Sequence, residues 1–74
     1  MMNAIWKTCL NNKYLCFVER ESLNEGSLKI INLENNTLIV ESTVNLKFNA
    51  IPNPEIEDVL YWQEFCEIEI DKIK

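Results

Sequence analysis

The sequence TLIVESTVNLKF occupies positions 37–48 and alternates in polarity. One serine interrupts an otherwise apolar set that falls at every second position, namely Leu38, Val40, Ser42, Val44, Leu46 and Phe48. This period of two is typical of a β-strand with one face in the core. Twelve residues exceed the usual strand length of about five or six, so we predict a bend or break near residues 41–43.

Two more strands are predicted upstream. Residues 28–33 form one, and Asn35-Asn36 then suits a type I′ turn because asparagine tolerates positive φ, so the two flanking strands form a predicted hairpin. Residues 14–18 are five consecutive apolar or aromatic residues. Such a run is typical of a strand covered on both sides or lying beside an interface.

Residues 5–10 have two interpretations. They form a strand that pairs with residues 14–18 through a tight turn at 11–13, or a short helix, because their apolar residues also match helical spacing. The single glycine, Gly26, follows Asn24 and Glu25, where we expect a turn that needs its freedom of φ.

The C-terminal third changes character at residues 51–54, IPNP. Asn53 is a good helix cap and Pro54 a good first helical residue, so we predict a short helix over residues 54–61. A strand over residues 62–70 is predicted next, because apolar Cys66, Ile68 and Ile70 alternate with acidic Glu67, Glu69 and Asp71. The alternative is a helix that continues to Phe65.

These elements predict one small domain over residues 1–74, mainly β or α+β. It is an antiparallel meander of four or five strands with one short helix before the last strand. An open curved sheet and a small SH3-like barrel both suit this length.

Composition excludes several classes of function. The chain of 74 residues has no His, one Gly and three Cys. Without His, Ser-His-Asp and Cys-His catalysis are impossible, and one glycine cannot build a phosphate-binding loop. Three unpaired Cys are too few for a typical structural zinc site and are read as thiols in a reducing cell. We therefore predict no catalytic residue, no cofactor and no metal, and a protein that is not an enzyme.

Charge is concentrated at one end. The net charge of −5 arises from residues 53–74. In a strand, Glu67, Glu69 and Asp71 line one face at about 6.5–7 Å spacing, close to the phosphate spacing of one DNA strand. Such a row is a docking face for a basic protein, a solvated surface, or, least in keeping with the sequence, a divalent-metal site. The adjacent Tyr61 and Trp62 are candidate interface anchors or core residues.

The favoured function is a non-enzymatic protein-binding module. It is an inhibitor or antagonist, of the anti-defence or immunity type found in phage and bacteria, that docks through its acidic C-terminal face. The expected partner is a larger, basic, nucleic-acid-handling protein, with no direct binding of nucleic acid or membrane, because an acidic chain is repelled by both. The predicted partner-binding residues are Glu67, Glu69, Asp71, Tyr61 and Trp62.

Two alternatives remain. One is an accessory or self-assembling subunit, a homo-oligomer included, that uses an apolar interface. The other is a small carboxylate-based enzyme or ligand carrier. Residues 1–10 lack the apolar segment of a secretory signal, so the expected location is the cytoplasm.

Overall fold

A computed structural model of the chain describes residues 4–46 and 56–73. The described elements are four strands and one helix: β1 (Ala4–Leu10), β2 (Tyr14–Arg20), β3 (Glu25–Asn32), β4 (Thr37–Asn45) and α1 (Ile56–Lys72). Residues 5–10 therefore belong to a strand and not to a helix. The predicted strand end at Phe48 and the predicted helix start at Pro54 lie outside the described residues.

The strands form one antiparallel sheet in the order β1-β2-β3-β4. The mainly β architecture and the meander of four strands are thus confirmed. Short connections dictate this order, because each strand pairs with the one that follows it in the chain. Among residues 4–46 no pairing joins β1 to β4, so the described strands form an open sheet and not an SH3-like barrel.

The prediction of a strand over residues 62–70 is wrong. One helix runs from Ile56 to Lys72, after all four strands. The same sequence satisfies the helical period, because Trp62, Cys66 and Ile70 are spaced by four and are all buried. Glu57 and Asp58 in the first turn and Lys72 in the last turn suit the helix dipole.

The core lies between α1 and one face of the sheet. Its buried residues come from β2, β3, the end of β4 with the residue that follows it, and α1: Cys16, Val18, Leu28, Ile30, Val44, Leu46, Trp62, Cys66 and Ile70. The partly buried Trp6 and Leu10 of β1 pack against it. At about 25 cal/mol per Å² of buried apolar area, this contact supplies the driving force that orders α1.

Asparagines shape the turns. Asn11 and Asn12 both have positive φ (55° and 54°), and the Lys13 N–H donates to the Leu10 carbonyl at 3.1 Å, so the predicted turn at 11–13 is present. The β3–β4 hairpin is also present. Its loop spans residues 33–36, and Asn36 has positive φ (55°) whereas Asn35 does not, so the predicted type I′ pair is wrong.

The Asn35 side chain closes that loop instead. Its Oδ1 accepts hydrogen bonds from the Thr37 Oγ1 at 2.6 Å and the Thr37 N at 3.2 Å. Asparagine is suited to this position because its carbonyl is short enough to satisfy a backbone donor two residues on.

Gly26 has a different role from the predicted one. It lies inside β3, is buried and does not have a positive φ. A Cβ at this position would stand 2.8 Å from the Glu19 carbonyl oxygen of β2. The glycine therefore permits close approach of two strands and supplies no turn geometry.

A β-bulge changes the predicted faces of β4. Ile30 pairs with Val40 but Ile31 pairs with Leu38, so Ile39 is an extra residue in β4. The extra residue moves Leu38 to the face opposite Val40, where it is 51% exposed. The predicted alternation from Leu38 to Leu46 is therefore correct only beyond the bulge.

Candidate functional site

Eight exposed side chains of α1 lie on the side of the helix opposite its three buried residues. We call this set the outer face of α1; its members are Ile56, Glu57, Leu60, Tyr61, Glu64, Glu67, Ile68 and Asp71. Each helical residue is rotated by about 100° from the last, so this set lies opposite the buried Trp62, Cys66 and Ile70. Half of the outer face is acidic and half is apolar or aromatic.

The apolar members are unusually exposed. Of the eight large exposed hydrophobic residues in the described chain, four belong to this face, and their exposures range from 51% at Ile68 to 77% at Ile56. Ile56 and Leu60 are one helical turn apart, and Ile68 follows two turns later on the same stripe. Glu64 lies between Leu60 and Ile68 on this stripe, so the exposed apolar side chains alternate with an acidic one. Exposed apolar side chains grouped on one face and rimmed by charges are typical of an interaction surface.

The helix separates the predicted acidic row. Glu67 and Asp71 are one turn apart on the outer face, whereas Glu69 lies on the other side of the helix. The Glu69 carboxylate is 2.8 Å from the Lys72 ammonium and 23% exposed. The phosphate-like spacing required a strand and is therefore wrong, while the role of the three residues in binding stays a prediction.

Tyr61 and Trp62 point in different directions. Trp62 is 1% exposed and lies in the core, whereas Tyr61 is 58% exposed and packs its ring 6.4 Å from that of Phe65. Of the two predicted anchors, Tyr61 is the one that presents an accessible surface.

Carboxylates surround most of the outer face. In α1 six acidic residues accompany one basic residue, Lys72. Glu64, Glu67 and Asp71 are spaced at three and four residues, so their charges share one stripe beside Leu60 and Ile68. The face therefore combines exposed apolar side chains with a negative potential.

A shallow cleft of about 350 Å³ lies between the end of β4 and the start of α1. Thr43, Asn45, Asp58 and Tyr61 line it together with Glu57. Glu57 and Asp58 are neighbours on the helix, so their side chains diverge by about 100° and do not form a facing pair. Among residues 4–46 and 56–73 no three Cys, Asp or Glu residues cluster as metal ligands.

Two thiols meet in the core. Cys16 and Cys66 are free and completely buried, and their side chains hydrogen-bond. This bond lowers the pKa of Cys16, while the same bond and burial raise the pKa of Cys66 well above the usual thiol range. Burial removes both from reagents in solution, so they are packing groups. Cys9 is exposed on β1.

Within the described part of the chain no helix has the length and apolar character needed to cross a membrane. Comparison with protein-family models, with curated proteins and with solved structures finds no match to this chain.

Sequence reasoning missed the apolar half of the outer face. The prediction of a short helix over residues 54–61 did not identify an exposed apolar face, and the predicted strand over residues 62–70 placed Ile68 on the same side as Cys66 and Ile70. The available signal was the spacing of four that joins Trp62, Cys66 and Ile70, since it places Leu60 and Ile68 on the opposite side.

Proposed function

We propose that this protein is a non-enzymatic protein-binding module whose outer face of α1 docks on a larger protein. The observation that carries the proposal is the exposure of Ile56, Leu60, Tyr61 and Ile68 on one helical surface. Half of the large exposed hydrophobic residues within 4–46 and 56–73 lie on this one helix face, and binding to a partner would cover them.

The expected mode is a helix lying in a groove. The anchors are Ile56, Leu60 and Ile68, which are spaced at i, i+4 and i+12 along the helix. They reach into an apolar channel on the partner, as the side chains of amphipathic recognition helices do. Four strands support α1 from behind through Trp62, Cys66 and Ile70. The helix is ordered before it binds, which reduces the entropic cost of association.

Charge indicates the chemistry of the partner. The carboxylates of Glu57, Glu64 and Glu67 favour a groove rimmed by Lys and Arg, as on proteins that handle nucleic acid. Such charges accelerate the encounter more than they tighten the complex, and their effect falls with ionic strength. Binding then blocks the basic surface sterically, so we propose an inhibitor or antagonist of the anti-defence or immunity type, acting in a reducing cytoplasm.

The experiment is parallel capture by the tagged chain and three folded variants from a native lysate. Leu60→Ser/Ile68→Ser removes the apolar centre, and Glu64→Lys/Glu67→Lys reverses two charges. Glu21→Lys/Glu25→Lys makes the same change of charge at exposed positions outside α1. Circular dichroism confirms that each variant is folded.

We expect the parent chain and the Glu21→Lys/Glu25→Lys control to capture the same basic protein. Both α1 variants should fail to capture it, and moderate salt should release it from the parent. Capture that is insensitive to both α1 variants, or a partner that is acidic, contradicts the proposal.

A further inference from the structure

Two of the three cysteines meet at the centre of the core, where β2 and α1 are in contact. Cys16 comes from β2 and Cys66 from α1, both are 0% exposed, and their side chains hydrogen-bond. All three cysteines lie within the described residues, and all are free thiols. The core pair therefore has a reaction open to it beyond packing, namely oxidation to a disulfide.

The fold selects this pair over the other two possible pairings. Successive side chains of a strand point to opposite faces, and Cys16 packs with the buried residues of α1. Its pairing partner on β1 is Thr8, so Cys9 lies on the opposite face of the sheet, where it is exposed. The sheet itself therefore separates Cys9 from both core thiols.

Side-chain size brings the two backbones close together at this point. Among the described core residues cysteine is the smallest type, since the others are Val, Leu, Ile and Trp. Cys66 lies one helical turn from Trp62 and one from Ile70, so α1 presents a small side chain between two bulky ones. A disulfide needs Cβ atoms about 3.5–4.5 Å apart. Thiols that already hydrogen-bond reach bonding distance through side-chain rotation and a small approach of α1.

We propose that Cys16 and Cys66 are an oxidation site, at which a low-molecular-weight disulfide converts the two thiols into a bond between β2 and α1. One cysteine thiolate attacks a sulfur of the small disulfide, which gives a mixed disulfide and releases one small thiol. The second cysteine thiolate then attacks the protein sulfur of the mixed disulfide and releases the second small thiol. Two protein thiols are oxidised, one small disulfide is reduced to two thiols, and those thiols carry away both protons.

Burial controls the rate of this reaction and not its direction. The core around the two thiols has no room for a mixed disulfide, because both side chains are 0% exposed. The first exchange therefore takes place while α1 is briefly separated from the sheet, as in other local openings of a fold. The return of α1 then brings the second thiol to the mixed disulfide. Formation is slow in the folded chain, and urea below the unfolding transition accelerates it.

Loop closure sets the size of the effect. The disulfide closes a loop of about 50 residues, which lowers the equilibrium constant of unfolding by about 1,000-fold in the chain-entropy model. Because linkage is reciprocal, folding raises the effective concentration of the two thiols for each other by the same factor. Oxidation thus makes the fold more stable, whether or not the outer face of α1 binds a partner.

Glutathione redox buffers test the proposal on Cys9→Ser, which keeps only the core pair. The chain is equilibrated at a series of ratios of oxidised to reduced glutathione, with and without denaturing urea, and is then quenched in acid. Mass spectrometry is expected to show an internal disulfide as the loss of two hydrogen atoms. Its effective concentration should be about 1,000-fold higher in the folded chain than in urea. Urea unfolding of the oxidised and reduced forms gives the same factor independently.

Two controls complete the experiment. Cys9→Ser/Cys66→Val has a single thiol, so its urea midpoint should not change with the glutathione ratio. Peptide mapping of the oxidised parent, in which Cys9 is present, should assign the bond to Cys16 and Cys66. The proposal is overturned by an effective concentration no higher in the folded chain than in urea, by an oxidised chain no more stable than the reduced one, or by an internal disulfide that contains Cys9.

Discussion

The indole rings of Trp6 and Trp62 pack against each other, with centroids 5.7 Å apart and planes tilted by 51°. This contact joins the edge strand β1 to the middle of α1. Among the described strands β1 pairs only with β2, so the Trp6–Trp62 contact helps to tie that edge of the sheet to the helix. Tilted aromatic pairs contribute about 0.5–1.5 kcal/mol beyond the area that they bury.

Trp62→Ala is expected to lower the free energy of unfolding by about 3–5 kcal/mol, the usual cost of deleting a buried large aromatic side chain. A core of this size supplies only about 3–5 kcal/mol in total, so the variant should be largely unfolded at room temperature. Urea denaturation followed by circular dichroism measures both. Tyr61→Ala, one residue earlier and exposed, should change stability by about 0.5 kcal/mol or less. Equal losses at the two positions would show that Trp62 is not a core residue.

Strands β2, β3 and β4 were predicted from their apolar patterns and flanking turn residues, whereas residues 5–10 also matched helical spacing and were left open between strand and helix. The full length of α1 was not predicted, because residues 62–70 satisfy two periods at once. Cys66, Ile68 and Ile70 alternate as a strand does, yet Trp62, Cys66 and Ile70 also repeat at helical spacing. The packing of Trp62 against Trp6 favours the helical period over the strand period. These two residues are more than fifty positions apart in the sequence, so local patterns do not reveal their contact.

The candidate site was predicted only in part for the same reason. Acidity of the C-terminal segment was visible in the sequence, but which carboxylates share a face depends on whether the segment is helix or strand. Leu38 was misplaced because a bulge inserts one residue, and nothing in the alternation marks Ile39 as the extra one. Gly26 was read as a turn residue because close approach between strands leaves no local signal.

Gly26→Ala should destabilise the sheet. The added Cβ would stand 2.8 Å from the Glu19 carbonyl oxygen, which is backbone and cannot rotate away. We expect β2 and β3 to separate locally, at a cost of about 1–3 kcal/mol in the free energy of unfolding. Ser27→Ala, the next residue of β3, is the matched control, expected to stay within about 0.5 kcal/mol. A stability of Gly26→Ala equal to that of the parent would contradict the close approach.

The turn between β1 and β2 depends on left-handed backbone at Asn12, where φ is 54°. Asn12→Gly should be neutral or slightly stabilising, because glycine enters this region without steric cost. Asn12→Val should lose about 1–2 kcal/mol, because a β-branched residue clashes there. Thermal unfolding of the two variants beside the parent measures the difference. Indistinguishable melting temperatures would mean that this turn relaxes at no cost.

Thiol reactivity should distinguish one accessible cysteine from two buried ones. Cys9 is exposed, whereas Cys16 and Cys66 are both 0% exposed. A chromogenic aromatic disulfide should therefore react rapidly with one thiol in the native chain and with all three in denaturant. Cys9→Ser should abolish the rapid phase while leaving two slow thiols. Two or more rapid thiols in the parent would show that the core between β2 and α1 is open.

Stability should fall at alkaline pH because of Cys66. The hydrogen bond with Cys16 and burial raise the pKa of Cys66 far above the ordinary value of 9.0, so the folded chain keeps this proton. The same bond lowers the pKa of Cys16, so Cys16 contributes the opposite slope, but only below 9.0. Below 9.0 the folded and unfolded chains both hold the Cys66 proton, and stability does not depend on Cys66. Above 9.0 the unfolded chain releases the proton, binds fewer protons than the folded one, and is favoured increasingly as the pH rises.

Cys66→Val tests this assignment, because valine resembles cysteine in volume and carries no proton. Its free energy of unfolding, measured in urea at a series of pH values, should decline less steeply above 9.0 than that of the parent. Cys9→Val serves as the control, since Cys9 is exposed and its removal should leave the decline as steep as before. Parallel curves for Cys66→Val and the parent would place the alkaline loss on other groups and leave Cys66 with a packing role alone.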